Sequence, residues 1–128
     1  FWAPSGAEPL RHLGQHFDPD KMDEILLLAD TERCLGFPGA GDFFRDEDGQ
    51  LMRRGDAPRA PWAYAGLRIL KPSLYDEAPI EPFAANRIWN QRLPRRRVYG
   101  YPLDRFWLHV GDPKALQDAE FWLRCHGA

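Results

Sequence analysis

The residues best suited to chemistry stand at one corner of the chain, Trp107-Leu108-His109-Val110-Gly111-Asp112-Pro113. An apolar, β-favouring run from Arg105 to Val110 stops there at Gly-Asp-Pro. A helix follows, with Asp112 in the N-cap position and Pro113 at the first helical position. Open α/β sheets place their ligands where a strand ends and a helix begins, so the corner reads as one wall of an active site. As an N-cap, Asp112 is worth on the order of 1 kcal/mol to its helix, and any part in a site comes on top of that. Two further positions suit ligand contact. Asp42, after Gly41, can hydrogen-bond a hydroxyl or simply order the turn in which it stands. Gly66 sits beside the aromatic Tyr64 in an apolar strand. Without a Cβ it either lets a ligand approach the backbone or makes room for a neighbouring side chain.

Other chemistry-bearing residues form weaker patterns. Arg95-Arg96-Arg97, with Arg92 and Tyr99, read as a solvated basic turn. The formal net charge of −2 gives no reason to expect nucleic acid as a partner. Asp46-Glu47-Asp48-Gly49 mimics a calcium loop but lacks the following ligand spacing and the closing Glu, so it reads as a hairpin turn. Cys34 and Cys125 form neither a CxxC pair nor a disulfide framework, which points to a reducing cytoplasm. His12, His16 and His126 show no HExxH pattern, and the five tryptophans suit core and pocket wall.

The elements that must position these residues alternate between strand and helix, with one antiparallel hairpin, and this argues for an α/β fold. The chain has 128 residues, 44% hydrophobic and 28% charged, the profile of one soluble globular domain. Its longest apolar run, Ile25 to Ala29, is far too short to span a bilayer, so no membrane partner is expected. The first residues form no signal peptide, and the chain opens on Phe1 without Met, which reads as a fragment. Pro9, Leu10, Leu13 and Phe17 mark one face of a short helix, and Asp23 to Ala29 is a buried strand of the parallel kind. Gly41 to Arg45 and Gln50 to Arg53 make a hairpin around an Asp-Gly turn. Trp62 to Leu70 is a second long strand ended by Pro72. A turn of helix and a loop fill 73–82, and Ala85, Ile88 and Trp89 mark a helix face stopped by Pro94. Val98 to Tyr101 is a strand. The last helix carries Leu116, Ala119, Trp122 and Leu123 as its buried stripe.

Four stretches, in this order, resemble the C-terminal half of the sugar-1-phosphate nucleotidyltransferases, nearest to their uridylyl and guanylyl branches. Gly41-Asp42-Phe43 with the Asp48-Gly49 turn is similar to the family's GDF…DxxG hairpin. Tyr64 to Leu70, then Pro72, is similar to its (F/Y)xG strand. Phe83-Ala84-Ala85-Asn86 with Trp89 resembles its FSxN..LWD helix, and Trp107 to Pro113 with Ala119-Glu120 resembles WxDVGTPxxxxxAE. Phe1-Trp2 matches the residues just after the family's Asn-Gly-Asp metal strand. Two departures stand out. The Gly-rich GxGxRLxPLT loop of the nucleotide-binding half is absent from this chain, and His109 stands where the family has its second metal-binding Asp.

The resemblance implies a three-layer α/β/α Rossmann-like fold with a mixed, mostly parallel sheet and a hairpin, of which residues 1–128 form the sugar-phosphate half. It implies transfer of a nucleotidyl group from a nucleoside triphosphate to a sugar 1-phosphate, releasing pyrophosphate, with Mg²⁺ as cofactor, in the bacterial cytoplasm and in cell-wall recycling. Asp42, Tyr64, Gly66 and Asn86 become substrate-binding candidates, and Asn86 has capping as its plain alternative. His109 and Asp112 become metal candidates. Mg²⁺ prefers oxygen ligands, so His109 is a poor substitute. The metal is held another way with help from Asp112, or His109 meets a phosphate, or it is a strand residue with no metal. No catalytic residue is assigned in this half. The missing half, or a partner chain that supplies it, is the expected macromolecular partner, and the piece alone is expected to be inactive. The alternative is a non-catalytic sugar-phosphate-binding or protein-interaction module derived from the same fold.

Overall fold

The computed structural model describes residues 8–71, 73, 89–90, 93–103 and 105–126. Its centre is β1, Glu24–Asp30. Ile25 is 2% exposed and Leu26 to Ala29 are 0% exposed, so the strand is covered on both faces, as its unbroken apolar run requires. The period of two divides its side chains between two cores. Ile25, Leu27 and Ala29 join Leu13, Ala63, Tyr99, Leu103 and Trp107. Leu26 and Leu28 join Phe43, Leu51, Trp89, Leu93 and Val98 on the opposite face. Each leucine so buried stabilises the fold by roughly 1.5–3 kcal/mol relative to an exposed one. Helix α1, Glu8–His16, lies against β1 and delivers Leu13 to the first core.

The remaining strands are β2 (Cys34–Leu35), β3 (Phe43–Arg45), β4 (Leu51–Arg53), β5 (Trp62–Leu70), β6 (Val98–Pro102) and β7 (Trp107–Leu108), and helix α2 spans Pro113–His126. The main sheet runs β4-β3-β5-β1-β6. It is mixed: β1, β3 and β6 point one way, while β5 and β4 run against them, so β1–β6 is its parallel neighbour pair. The hairpin forms where the sequence puts it. Asp46 Oδ1 accepts the N–H groups of Asp48 (3.0 Å) and Gln50 (2.8 Å), an Asx arrangement that closes the turn locally. The turn then folds onto β6, where Gly100 N–H donates to Gly49 O at 2.9 Å.

β5 spans Trp62–Leu70, the range its apolar pattern predicts, but it is not regular. Leu28 faces Tyr64 and Leu26 faces Arg68, so Ala65, Gly66 and Leu67 stand opposite Leu27 alone. This bulge puts Gly66 at φ +94°, with nothing within 4 Å of the position a Cβ would take. Gly66 is therefore demanded by backbone conformation and does not make room for a neighbour.

Two expectations need correction. The predicted strand from Arg105 to Val110 is only β7, paired in parallel with β2 in a separate two-stranded sheet. Trp107 is drawn into the core, whereas only two residues of backbone find a partner strand. His109 N–H adds one more bond, to Leu35 O at 2.9 Å, and Val110 is 51% exposed. The stripe of α2 keeps Ala119 buried and Trp122 and Leu123 half-buried, as expected, but it begins at the buried Ala115, and Leu116 is 47% exposed. Trp122 stacks on Phe106 (centroids 4.9 Å apart) and on His126 (4.5 Å) at the periphery. The cap sets where the stripe begins. Asp112 Oδ1 accepts Ala115 N–H at 2.7 Å, and that start turns the two alanines inward.

Candidate functional site

β1 and β6 form the parallel pair, and ligands of α/β sheets lie beyond the carboxyl ends of such strands. At that end of β1 the chain runs into Asp30-Thr31-Glu32. This segment, Phe37 to Ala40 and Arg59 to Trp62 line an open cleft of about 600 Å³. That volume accommodates a sugar-sized ligand. Its walls are tied together by backbone polar groups. Thr31 donates to Pro61 O through both N–H (3.1 Å) and Oγ1 (3.2 Å), and Asp30 Oδ1 accepts Glu32 N–H at 2.9 Å. Ala60 N–H donates to Ala40 O at 2.9 Å. Behind this contact Gly41 has φ +93°, and a Cβ on it would lie 2.1 Å from Ala60 O, so only glycine permits the two loops to meet.

Asp42 and Tyr64, 22 residues apart, are joined directly. Asp42 Oδ2 accepts Tyr64 N–H at 2.9 Å, while the Asp42 backbone donates to Trp62 O (2.7 Å) and accepts from Arg54 N–H (3.1 Å). Asp42 thus fastens the hairpin to β5, the ordering role that its place after Gly41 allowed. The Tyr64 ring meets Trp89 edge-on, with centroids 5.2 Å apart. Gly66 follows two residues on, with open space before it. Asn86, with the rest of the Phe83–Asn86 stretch, Phe1-Trp2 and most of the predicted 73–82 turn and loop, lies outside the described residues.

His109 lies beside Phe37, whose ring lines the cleft. The imidazole meets Phe37 edge-on at 5.7 Å and Trp107 at 5.1 Å. Asp112 is committed through Oδ1 to capping α2. Among the described residues no three His, Cys, Asp or Glu side chains are grouped to hold a metal ion. An imidazole flanked by two aromatic rings and a carboxylate engaged as a cap do not match the oxygen-rich shell of Mg²⁺. Among the described residues, magnesium chemistry is therefore assigned to none.

Local sequence patterns missed the cleft residues Asp30, Phe37, Arg59 and Trp62, which three separate segments supply: the end of β1, the loop at Phe37, and the loop at Arg59 that leads into β5. The one available signal was Asp30, the first charge after the apolar run of β1. They also missed a buried polar knot at the other end of β1. Glu24, 0% exposed, binds Arg68 Nη1 at 2.6 Å and accepts from Trp89 Nε1 at 3.2 Å. Beside it Asp23 binds Arg97 Nε at 2.9 Å. This knot clamps the start of β1 to β5 and to Trp89, the tryptophan against which Tyr64 packs. At the cleft end, burial first and the nearby Asp30 carboxylate second push the Cys34 thiol above its ordinary pKa.

No family model matches the chain. Over 119 residues it is 34% identical to the N-acetylmuramate alpha-1-phosphate uridylyltransferase of Caulobacter vibrioides, a match that takes in 93% of this chain and 49% of that protein. The chain thus spans about half the length of this curated relative. Its fold is similar to that of a crystal structure from Bacillus anthracis assigned as a glucose-1-phosphate thymidylyltransferase. The TM-score is 0.65 at 16% identity, covering 90% of this chain and 49% of the other. Among the described residues no helix is long and apolar enough to cross a membrane.

Proposed function

Because the chain is homologous to the sugar-1-phosphate nucleotidyltransferases and spans about half of one of them, we propose that it forms the sugar-phosphate half of such an enzyme. In that reaction a phosphate oxygen of the sugar 1-phosphate attacks the α-phosphorus of a nucleoside triphosphate, and pyrophosphate leaves. Catalysis of this kind depends on positioning and on neutralising charge. The chain's own residues supply the positioning. The Asp42–Tyr64 bond locks the hairpin against β5, the Gly66 bulge leaves its backbone open to a ligand, and the cleft at the end of β1 offers carboxylates, an arginine and aromatic walls.

The observation that carries this reading is 34% identity over 93% of the chain, with the hairpin and strand motifs in contact through Asp42 and Tyr64. Uridylyl transfer to an amino-sugar 1-phosphate is the version the relative's name favours, and cell-wall recycling is the setting that the resemblance implies. The triphosphate-binding loop belongs to the other half, present on the same or a separate polypeptide. The test is transfer from UTP and GTP by the protein carrying both halves, read as nucleotide sugar and pyrophosphate formed in equal amounts. The 128 residues alone are expected to release no pyrophosphate. No transfer from any nucleoside triphosphate by the two-half protein would overturn the proposal.

A second reading, a sugar-phosphate-binding module without transfer activity, draws on His109. A lineage that no longer needed the metal could replace the family Asp with an imidazole that packs between Phe37 and Trp107. Sugar-phosphate binding without transfer by the two-half protein would favour it.

A further inference from the structure

We infer that Arg59 receives the anionic group of a sugar held in the cleft, with Asp30 at the end of β1 and Glu32 just beyond it accepting bonds from sugar hydroxyls. The inference rests on reading the cleft as a sugar site and adds the residue that reads the ligand's charge.

Arg59 lines the cleft and is exposed. Among the described residues its guanidinium makes no hydrogen bond or ion pair, unlike most arginines of the fold. Arg45 binds Gly100 O, Arg54 binds Gly41 O and Ala57 O, Arg68 binds Glu24, and Arg97 binds Asp23. Asp30 and Glu32 line the same cleft, yet neither comes within salt-bridge distance of Arg59. Opposite charges that share an opening without closing on each other leave room for a ligand carrying both acceptor and donor groups.

The loop bearing Arg59 is also held in place. Arg54 anchors it at 3.1 Å to Gly41 O and at 2.9 Å to Ala57 O, and Ala60 N–H anchors it at 2.9 Å to Ala40 O. The guanidinium thus projects from a fixed base, so less freedom is lost when it binds. Phe37 and Trp62 add apolar wall on which a sugar ring can rest. A planar fork of N–H donors matches either a carboxylate or a phosphate, two groups that a sugar ligand can carry.

The test titrates three probes into the protein and reads affinity by calorimetry or NMR. N-acetylmuramate carries a carboxylate, N-acetylglucosamine 1-phosphate carries a phosphate, and N-acetylglucosamine carries neither. Arg59→Gln is expected to weaken an anionic probe by about tenfold or more, with the neutral sugar changed less than twofold, as for loss of one charge-assisted contact. Arg59→Lys should recover part of the loss by keeping the charge without the fork. A loss confined to N-acetylmuramate identifies the carboxylate as the anion, and a loss confined to the 1-phosphate identifies the phosphate. Equal affinities in wild type and Arg59→Gln, an equal loss for the neutral sugar, or no binding of any probe by the wild type overturns the inference. The outcome is separable from the proposed reaction. Transfer with an unchanged KM for the sugar in Arg59→Gln rejects the role of Arg59 alone, whereas Arg59-dependent binding without transfer rejects the reaction alone.

Discussion

Replacing Asp42 with alanine removes one interaction and leaves its neighbours in place. Two of the three links at this residue are backbone bonds, to Trp62 O and from Arg54 N–H, and survive the change. The third, from Tyr64 N–H to the carboxylate at 2.9 Å, is lost. A hydrogen bond to a charged group contributes about 1.5–3 kcal/mol, and both residues are half-buried, so solvent screening places the expected cost near the lower bound, ~1.5 kcal/mol. For a chain of this size that corresponds to a fall in Tm of about 6 °C, or about 0.7 M in the urea midpoint. Asp42→Asn keeps an acceptor oxygen in place and should recover about half of the loss, because the bond persists without its charge. Urea unfolding of the three proteins, followed by tryptophan fluorescence, decides the matter. An alanine variant within ~0.3 kcal/mol of wild type, or an asparagine variant no better than alanine, would refute Asp42 as the fastener of hairpin to β5. If Asp42→Asn recovers stability but still loses affinity for sugar phosphate, the carboxylate contacts the ligand as well.

Three further outcomes follow from the fold. Glu24→Ala should cost about 3–5 kcal/mol by removing the buried carboxylate that Arg68 Nη1 and Trp89 Nε1 both bind. The double change Glu24→Leu with Arg68→Met should recover most of that in chemical denaturation, and a double variant as unstable as the single one would count against the pairing. Gly66→Ala should lose about 1–2 kcal/mol through its positive φ alone. Since nothing crowds the site, Gly66→Asn should lose less and Gly66→Val more, and equal losses for the three would contradict a purely conformational cause. The raised pKa of Cys34 means that the folded protein holds the thiol proton more tightly than the unfolded chain does. Its contribution is fully present below the unfolded thiol's pKa and is lost as pH rises through the higher folded value. Alkylation of Cys34 in the folded protein near pH 8 should therefore be slower than in urea, and equal rates would refute the assignment.

Much of this structure is legible residue by residue, because short-range physics dictates it. The apolar run of β1, the span Trp62–Leu70 of β5, the Asp-Gly hairpin and the Asp112 cap each follow from neighbours a few positions away. Periodicity, turn chemistry and capping therefore locate them from sequence alone. The motifs that mark the family are also local strings, so the resemblance is legible in the sequence alone. Register and packing decided the rest. The bulge that sets Gly66 at positive φ arises only when β5 is laid against β1, and the exposure of Leu116 depends on how the capped helix meets β2. Strand β7 is short because its backbone reaches only Cys34 and Leu35. The cleft gathers Asp30 from the end of β1 and Phe37 and Arg59 from two loops, and Glu24 finds Arg68 and Trp89 across 44 and 65 residues of chain. No local pattern encodes a meeting between residues so far apart, because it comes into being only when the strands that carry them are aligned.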